Sequence, residues 1–393
     1  MILAEPMGLS GDRIVATPRE TVLVYRDRIV PKSEANFLRR QYVGFDRLAP
    51  VWLGCRTDDG LSDLGVEPMI IGQGQFFGGL RRQLFKQFGV VPPLARLREL
   101  RPRVLHAHFG RGGALALPIA RALGIPLVVT FHGGDASKDK HYDPRPLPTI
   151  FQRRLAALQR EAAAIICVSD YVRDVLRRRG FPADKLHVLR YGVEIEAAEP
   201  DIEPAADAEI LFAGRFVEKK GIRYLIEAAR LWREHGVSRP LALIGDGPLE
   251  PELKRQAAGL DHVRFLGWQP NAELRRRMGR AFAVCVPSVV AAAGDAEGLP
   301  NVVLEALAAG VPVIGTGEGG IIEAIQHDRT GLLVPPGDAG ALADAVTLLN
   351  DRPATRHRLA LAARRRAIDC FSATAQSHRL EDLRLSVAPK TAP

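Results

Sequence analysis

Aromatic side chains make up only 6% of the 393 residues, and there are four cysteines. Cys55, Cys167, Cys285 and Cys370 are scattered without paired spacing. That pattern argues against disulfides or a zinc site and fits unpaired thiols in a reducing cytoplasm. No run approaches the ~18 consecutive apolar residues of a membrane-spanning helix. The first twenty residues lack the basic-then-apolar order of a signal peptide and read as a loose extension. There is no P-loop, no G-x-S-x-G elbow and no complete G-x-G-x-x-G. No Asp-x-Asp triplet occurs, so neither a dedicated Mg²⁺ or Mn²⁺ site nor a cofactor is expected. Sparse aromatics without basic–aromatic interleaving argue against nucleic acid as a partner.

The composition that remains is that of an ordinary globular protein, with 47% hydrophobic and 25% charged residues. A chain of this length exceeds one comfortable core, so two domains are expected. The net charge of +9 is unevenly placed. Residues 1–200 carry 30 Lys and Arg against 21 Asp and Glu, whereas residues 201–393 carry 24 of each. A basic first half points to an anionic partner such as nucleic acid, a phosphorylated lipid or a membrane surface.

The second half alternates short β-branched runs ("EILFAG", "LALIGD", "AVCVPS", "VPVIGT", "GLLVPP") with segments of helical period ("GIRYLIEAARLW", "GALADAVTLLN"). Strands interleaved with helices imply βαβ units and a parallel sheet covered on both faces. The first half follows the same grammar through "TVLVYRD", "VLHAHFG", "IPLVVTFHGG" and "AAIICVSD". The predicted fold class is α/β, with two doubly wound Rossmann-like domains facing a cleft. The division is a loose extension over 1–20, a first domain over 21–193, a Pro/Ala-rich acidic linker over 194–209, a second domain over 210–370 and a tail over 371–393 that packs back on the first domain. Ligands in such sheets bind beyond the carboxyl ends of the strands.

After the first strand of the second domain, "GRFVEKKG" offers Gly214 for a close turn and places Arg215 and Lys220 beside a helix start. An Arg fork, a Lys point charge and a helix N-terminus together suit a diphosphate, although two solvated surface cations would look the same. In "EGLPNVVLEALAAG", Pro300 suits a first helical turn and Gly310 a stop. Gly298, Leu299, Asn301, Val302 and Val303 then present backbone amides, with Glu297 in the loop before the helix. Glu305 stands in the second turn as the only charge between Gly298 and Gly317. Two carboxylates that accept from hydroxyls, beside amides that hold an anion, describe a nucleotide sugar. In the first half, "TFHGGD" puts His132 at a strand's carboxyl end, and "HAHFGRGG" does the same for His108 and Gly110. His106 and His108 share a strand face, but no third metal ligand lies nearby in sequence.

These residues carry a resemblance. From Val22 to Phe371 the chain resembles the retaining glycosyltransferase family 4 with the GT-B fold, in the branch acting in bacterial exopolysaccharide and colanic-acid-type assembly. The E-x7-E element of Glu297 and Glu305 is its most specific marker, and "GRFVEKKG", "GDGP", "PS", "GGIIEAI" and "GLLVPPGD" follow in the expected order. The resemblance implies that Arg215 and Lys220 hold the donor diphosphate and Glu305 the ribose. It also implies that Glu297 touches the transferred sugar, that His132 lies near the reacting sugar, and that the first domain takes the acceptor on the side of His108 and Gly110. It further implies a UDP- or GDP-hexose donor, retention of configuration, no metal, and a lipid-linked or saccharide acceptor. Two segments depart from the pattern: "RIVPKSEANF" (Arg28 to Phe37) replaces a glycine-rich loop, and "RYGVE" (Arg190 to Glu194) replaces a "PNGVD"-like one.

The rival readings are a sugar phosphorylase or nucleotide-sugar epimerase on the same fold, and a non-catalytic anion-binding module. Separately, Pro68 to Arg98 contains no Asp or Glu, and Phe77, Leu80, Leu84 and Phe88 recur at helical intervals beside Arg81, Arg82 and Lys86. That pattern fits a helix lying on the inner face of an anionic membrane, or equally a core-facing helix with solvated cations.

Overall fold

In the computed structural model, residues 19–389 are described apart from 30–37, 39, 43, 58–67, 75–76, 92, 197–199 and 201. The β-branched runs become strands, buried on both faces at the sheet centres, as parallel sheets require, and half-buried or exposed at several edges. In the first half these are β1 (Glu20–Tyr25), β2 (Arg28–Ile29), β3 (Leu48–Gly54), β4 (Arg56–Thr57), β5 (Met69–Ile70), β6 (Val104–His108), β7 (Leu127–Phe131), β8 (Ala164–Cys167) and β9 (Leu186–Val188). In the second they are β10 (Ile210–Ala213), β11 (Leu241–Ile244), β12 (Val263–Gly267), β13 (Ala283–Val286), β14 (Val313–Thr316) and β15 (Gly331–Val334).

One sheet runs β5-β3-β1-β6-β7-β8-β9 and the other β12-β11-β10-β13-β14-β15, with every pairing parallel. A small parallel pair, β2 with β4, stands beside the first. Both large sheets reverse strand order at their centre, between β1 and β6 and between β10 and β13. Each reversal opens a crevice beyond the strand ends. The fold class expected from the sequence is therefore the one observed. Of the departure over Arg28 to Phe37, only Arg28 and Ile29 fall within the described residues. Cys55, Cys167, Cys285 and Cys370 are all free thiols, and burial pushes those of Cys167 and Cys285 up to about 12.

The chain crosses between the halves twice, side by side. Val193 N–H donates to Phe371 O at 2.7 Å and Ala373 N–H donates to Val193 O at 2.9 Å. A Cβ on Gly192 would lie 2.3 Å from Ala373 Cα, so the crossing strands touch only because position 192 has no side chain. Residues 194–196, 200 and 202–209 carry no helix or strand. After Phe371 the final helix, Ala373–Val387, returns to the first sheet, where Leu380 joins a core with Val22, Tyr42, Trp52 and Val128.

Gly78–Phe88 forms the helix that the spacing predicts. Phe85 faces the core, whereas Phe77 (68% exposed), Leu80 (58%) and Phe88 (73%) face solvent, and Lys86 pairs with Asp27 at 2.7 Å. No helix among the described residues is long and apolar enough to cross a membrane.

Glu381 on the final helix is 1% exposed, and its Oε1 accepts from the Leu48 and Arg47 amides at 2.7 and 2.8 Å, fixing the start of β3. Glu381→Gln removes the charge from bonds worth about 1.5–3 kcal/mol each and turns an amide donor toward backbone donors. The expected outcome is a lower urea midpoint for the first half, read by hydrogen exchange at β3, with the second half unchanged.

Candidate active site

β10 delivers Gly214 and Arg215 to the crevice. The chain then makes a short 3-10 turn, Glu218–Lys220, before the helix Ile222–Glu234. Gly221 ends that turn at φ 62°, and a Cβ there would lie 1.8 Å from Pro287 O, so the turn is pressed against the segment after β13. This contact brings two lysines to two carboxylates. Lys220 Nζ lies 2.9 Å from Glu297 Oε1, and Lys219 Nζ lies 3.1 Å from Asp295 Oδ1 and 3.8 Å from Glu297 Oε1. Lys138 of the first half closes the cluster at 2.9 Å from Asp295 Oδ2. Burial pushes the Glu297 carboxyl up, but Lys220 and then Lys219 outweigh it and hold the group below its ordinary value, so it is ionised. Arg215 is exposed and makes no ion pair among the described residues.

The segment after β13 is wedged between backbones. A Cβ on Gly298 would lie 2.3 Å from His132 O, one on Gly133 would lie 2.6 Å from Gly298 N, and one on Gly320 would lie 1.6 Å from Gly298 O. The helix begins one residue later than the sequence predicts. Pro300, at ψ 123°, precedes Asn301–Ala308 as its N-cap. Val303 N–H is spent on Pro300 O at 3.1 Å, whereas the amides of Gly298, Leu299, Asn301 and Val302 have no hydrogen-bond partner among the described residues. Free amides at a helix start beside two lysines form an anion cradle.

Across the gap, β6 ends in His108, and His132 directly follows β7. The half-buried Asp135 ties the two strand ends together, its carboxylate accepting from the Gly110, His132 and Gly133 amides at 3.0, 2.8 and 3.0 Å. His132 stacks on Tyr191, to whose hydroxyl its Nδ1 bonds, and its Nε2 lies 3.1 Å from His108 Nδ1. Burial first, and then the Arg26 cation, hold His132 well below the ordinary histidine value, which favours the neutral ring. Phe109, between the two strand ends, sits at φ 68°, and its ring lies 4.2 Å from that of His132. A bulky residue there is strained, and such strain clusters at functional sites.

Of the residues singled out from the sequence, Gly214, Lys220, Glu297, Gly298 and His132 come together. Others are placed apart. Glu305 pairs with Arg40 of the first half at 2.7 Å, beside a cavity of about 110 Å³ lined by Arg40, Glu194, Arg275, Met278 and Arg364. His108, read as acceptor-side, is 0% exposed and meets the gap only through His132, while the Gly110 amide is occupied by Asp135. The His106 and His108 rings do share a face, 4.5 Å apart, but no group of three metal-ligating side chains exists among the described residues. Lys219, Asp295, Asp135 and Tyr191 were not picked out from the sequence, although "EKK" and "GDAEG" display the opposed charges. The unusual "RYGVE" segment supplies Tyr191 and also Arg190, which lies 2.6 Å from Glu323. Glu323 in turn accepts from the Asp170 and Tyr171 amides at 3.0 and 2.9 Å, capping a helix of the other half.

Comparison with known proteins agrees with this frame. The family described as "Glycosyl transferases group 1" matches residues 207–351, and "Glycosyltransferase Family 4" matches residues 46–197. The chain is 35% identical over 254 residues to the putative colanic acid biosynthesis glycosyltransferase WcaL of Escherichia coli; that match takes in 62% of this chain and 60% of the relative. It is 31% identical to the alpha-D-kanosaminyltransferase of Streptomyces kanamyceticus over 67% of this chain and 72% of the relative. The crystal structure of Anabaena HepE in complex with UDP-glucose superposes with a TM-score of 0.73 at 19% identity, covering 93% of this chain and 99% of that one, a likeness of fold alone. The chain therefore belongs to the family 4, group 1 glycosyltransferases, and its paired Rossmann-like domains are the GT-B fold.

Proposed function

We propose that the protein transfers a hexose from a UDP- or GDP-sugar to an acceptor hydroxyl on a lipid-linked saccharide in bacterial polysaccharide biosynthesis, with retention of configuration and without a metal. The observation that carries this reading is the meeting of Lys219, Lys220 and four free amides with His132 across a gap narrowed by Gly133 and Gly298. The cations and amides take the diphosphate and stabilise its growing charge as it departs, the kind of electrostatic assistance worth a few kcal/mol per donor. Ionised Glu297 holds Lys220 in place until phosphate competes for it, and then accepts from the sugar. The neutral His132 ring adds no positive charge beside the departing anion. Attack from the face the diphosphate leaves gives retention and needs no enzymatic nucleophile. Glu305 accepts from the ribose once Arg40 is displaced from it.

Four variants test the assignment. Arg215→Ala and Lys220→Ala should each raise the donor KM and depress kcat by about ten- to a hundredfold, the worth of a charge-assisted hydrogen bond. Wild-type UDP and GDP affinity in both would remove the diphosphate assignment. Glu297→Gln should lower kcat with little change in KM, whereas Glu305→Gln should mainly raise the donor KM. If either change merely lowered the melting temperature and left the kinetics normal, that glutamate would be structural. A thermal-shift screen with UDP, GDP, ADP and their sugars identifies the base, since a ligand of the folded state raises its melting temperature. Unchanged turnover in EDTA checks the metal-free reading.

The exposed Phe77, Leu80 and Phe88 edge supports a role for the first domain in reaching a lipid-linked acceptor at an anionic membrane. Co-sedimentation with liposomes should require anionic lipid, weaken with salt and fall on Phe88→Ser. Binding indifferent to lipid charge and salt would exclude it.

A further inference from the structure

We propose that Arg384, on the final helix, fixes which ring nitrogen of His132 carries its proton, acting through Tyr42 and His108 as a positioning residue that never touches substrate. An unbroken buried chain joins the two ends. Arg384 Nη2 donates to Tyr42 Oη at 3.0 Å and to His106 Nδ1. Tyr42 Oη lies 3.1 Å from His106 Nδ1 and 2.7 Å from His108 Nε2, and His108 Nδ1 lies 3.1 Å from His132 Nε2.

A guanidinium can only donate, and this orients every bond that follows. His106 Nδ1 accepts from Arg384, so the His106 proton is on Nε2 and goes to Thr130 Oγ1 at 2.7 Å. The Tyr42 oxygen also accepts from Arg384. Its single proton cannot go to the occupied His106 Nδ1, and so it goes to His108 Nε2. Neutral His108 then carries its proton on Nδ1 and gives it to His132 Nε2. His132 is left with its own proton on Nδ1, directed at the Tyr191 hydroxyl. Without the obligatory donor the chain is free to run backwards, Tyr42 donating to His106 and accepting from His108, which would put the His132 proton on Nε2. Burial holds both His108 and His132 well below the ordinary value, which keeps the rings neutral and the tautomer meaningful.

The second observation is that Arg384 is a poor choice for stability. It is 0% exposed, has no carboxylate partner among the described residues, and leaves Nε and Nη1 without a hydrogen bond. The rings of Tyr42 and Phe45 lie against the cation at 4.6 and 4.9 Å. A buried cation without a counter-ion is costly, and an apolar side chain of similar length would be as stable or more so.

The inference rests on the placement of His132 beside the transferred sugar, and the test separates the two. Histidine ¹⁵N–¹H multiple-bond NMR on the full chain should show His108 and His132 as Nδ1–H tautomers. In Arg384→Met, and separately in Tyr42→Phe, both rings should show a mixture with the Nε2–H form. Each variant should lower kcat about tenfold with the donor KM unchanged, and the double variant should be no worse than either, because one neutral hydrogen-bond line is lost once. The melting temperature of Arg384→Met should equal or exceed the wild-type value. Unaltered tautomers in either variant, or additive losses in the double variant, would overturn the proposal. Altered tautomers with unaltered kcat would uphold it and instead remove His132 from the reaction. If Arg384→Met does not fold, Tyr42→Phe, which keeps the ring and its packing, decides alone.

Discussion

The geometry of this site depends on a contact between backbones. Gly298 lies between His132 and Gly133 on one side and Gly320 on the other, at separations that leave no room for a Cβ on any of the three glycines. A side chain at Gly133 or Gly298 would force the two halves apart, and one at Gly320 would force Gly298 from its place. The same segment carries the free amides. Those of Gly298, Leu299, Asn301 and Val302 meet no protein acceptor among the described residues, the last two because the first turn of a helix has none to offer.

Around that contact the halves are joined by charge. Lys138 with Asp295, Arg190 with Glu323 and Arg40 with Glu305 each pair the first half with the second. The partly solvated pairs of Lys138 and Arg190 contribute about 1 kcal/mol or less each, too little to lock two domains together and enough to set their registration, whereas Arg40 is buried and its pair with Glu305 is largely desolvated. Two of the three also reach open space or the lysines: Asp295 pairs with Lys219 at 3.1 Å, and Glu305 lines the cavity of about 110 Å³. An interface built from such pairs can exchange partners with an anionic or polyhydroxyl substrate at small net cost, whereas an apolar interface would have to expose its surface.

Much of this was legible in the sequence where the signal is periodic or compositional. The β-branched runs, the strand ends and the isolation of Glu305 in an apolar segment follow from spacing, and so does the shared face of His106 and His108. Pro300 was displaced by one position, because a residue without an N–H is tolerated as well at the cap as in the first turn. What could not be read were pairings between residues far apart in sequence. Nothing in the stretch around Arg40 announces Glu305, 265 residues away, and nothing around Arg384 announces His106, 278 residues away. The opposed charges of Lys219 and Lys220 against Asp295 and Glu297 were visible as two short clusters, but their meeting depends on Gly221 lying against Pro287.

The two strand ends that carry histidine illustrate how the fold handles a site needing polar atoms and little net charge. Burial raises the Asp135 carboxyl; the amides of His132, Gly110, Gly133 and Asp135 itself pull in the opposite direction without reversing the shift. Its hydrogen bonds hold Gly110, His132 and Gly133 in fixed relation. The strain at Phe109 persists because this tie and the Arg26 guanidinium, 4.1 Å from the Phe109 ring centre, over-determine the turn. Arg26 in turn is the cation that, after burial, keeps His132 neutral. The cation, the strained aromatic and the histidine thus form a single stack. Lys219 and Lys220 thus stand on one side of the gap and a neutral histidine on the other, with the Arg26 cation held over the Phe109 ring.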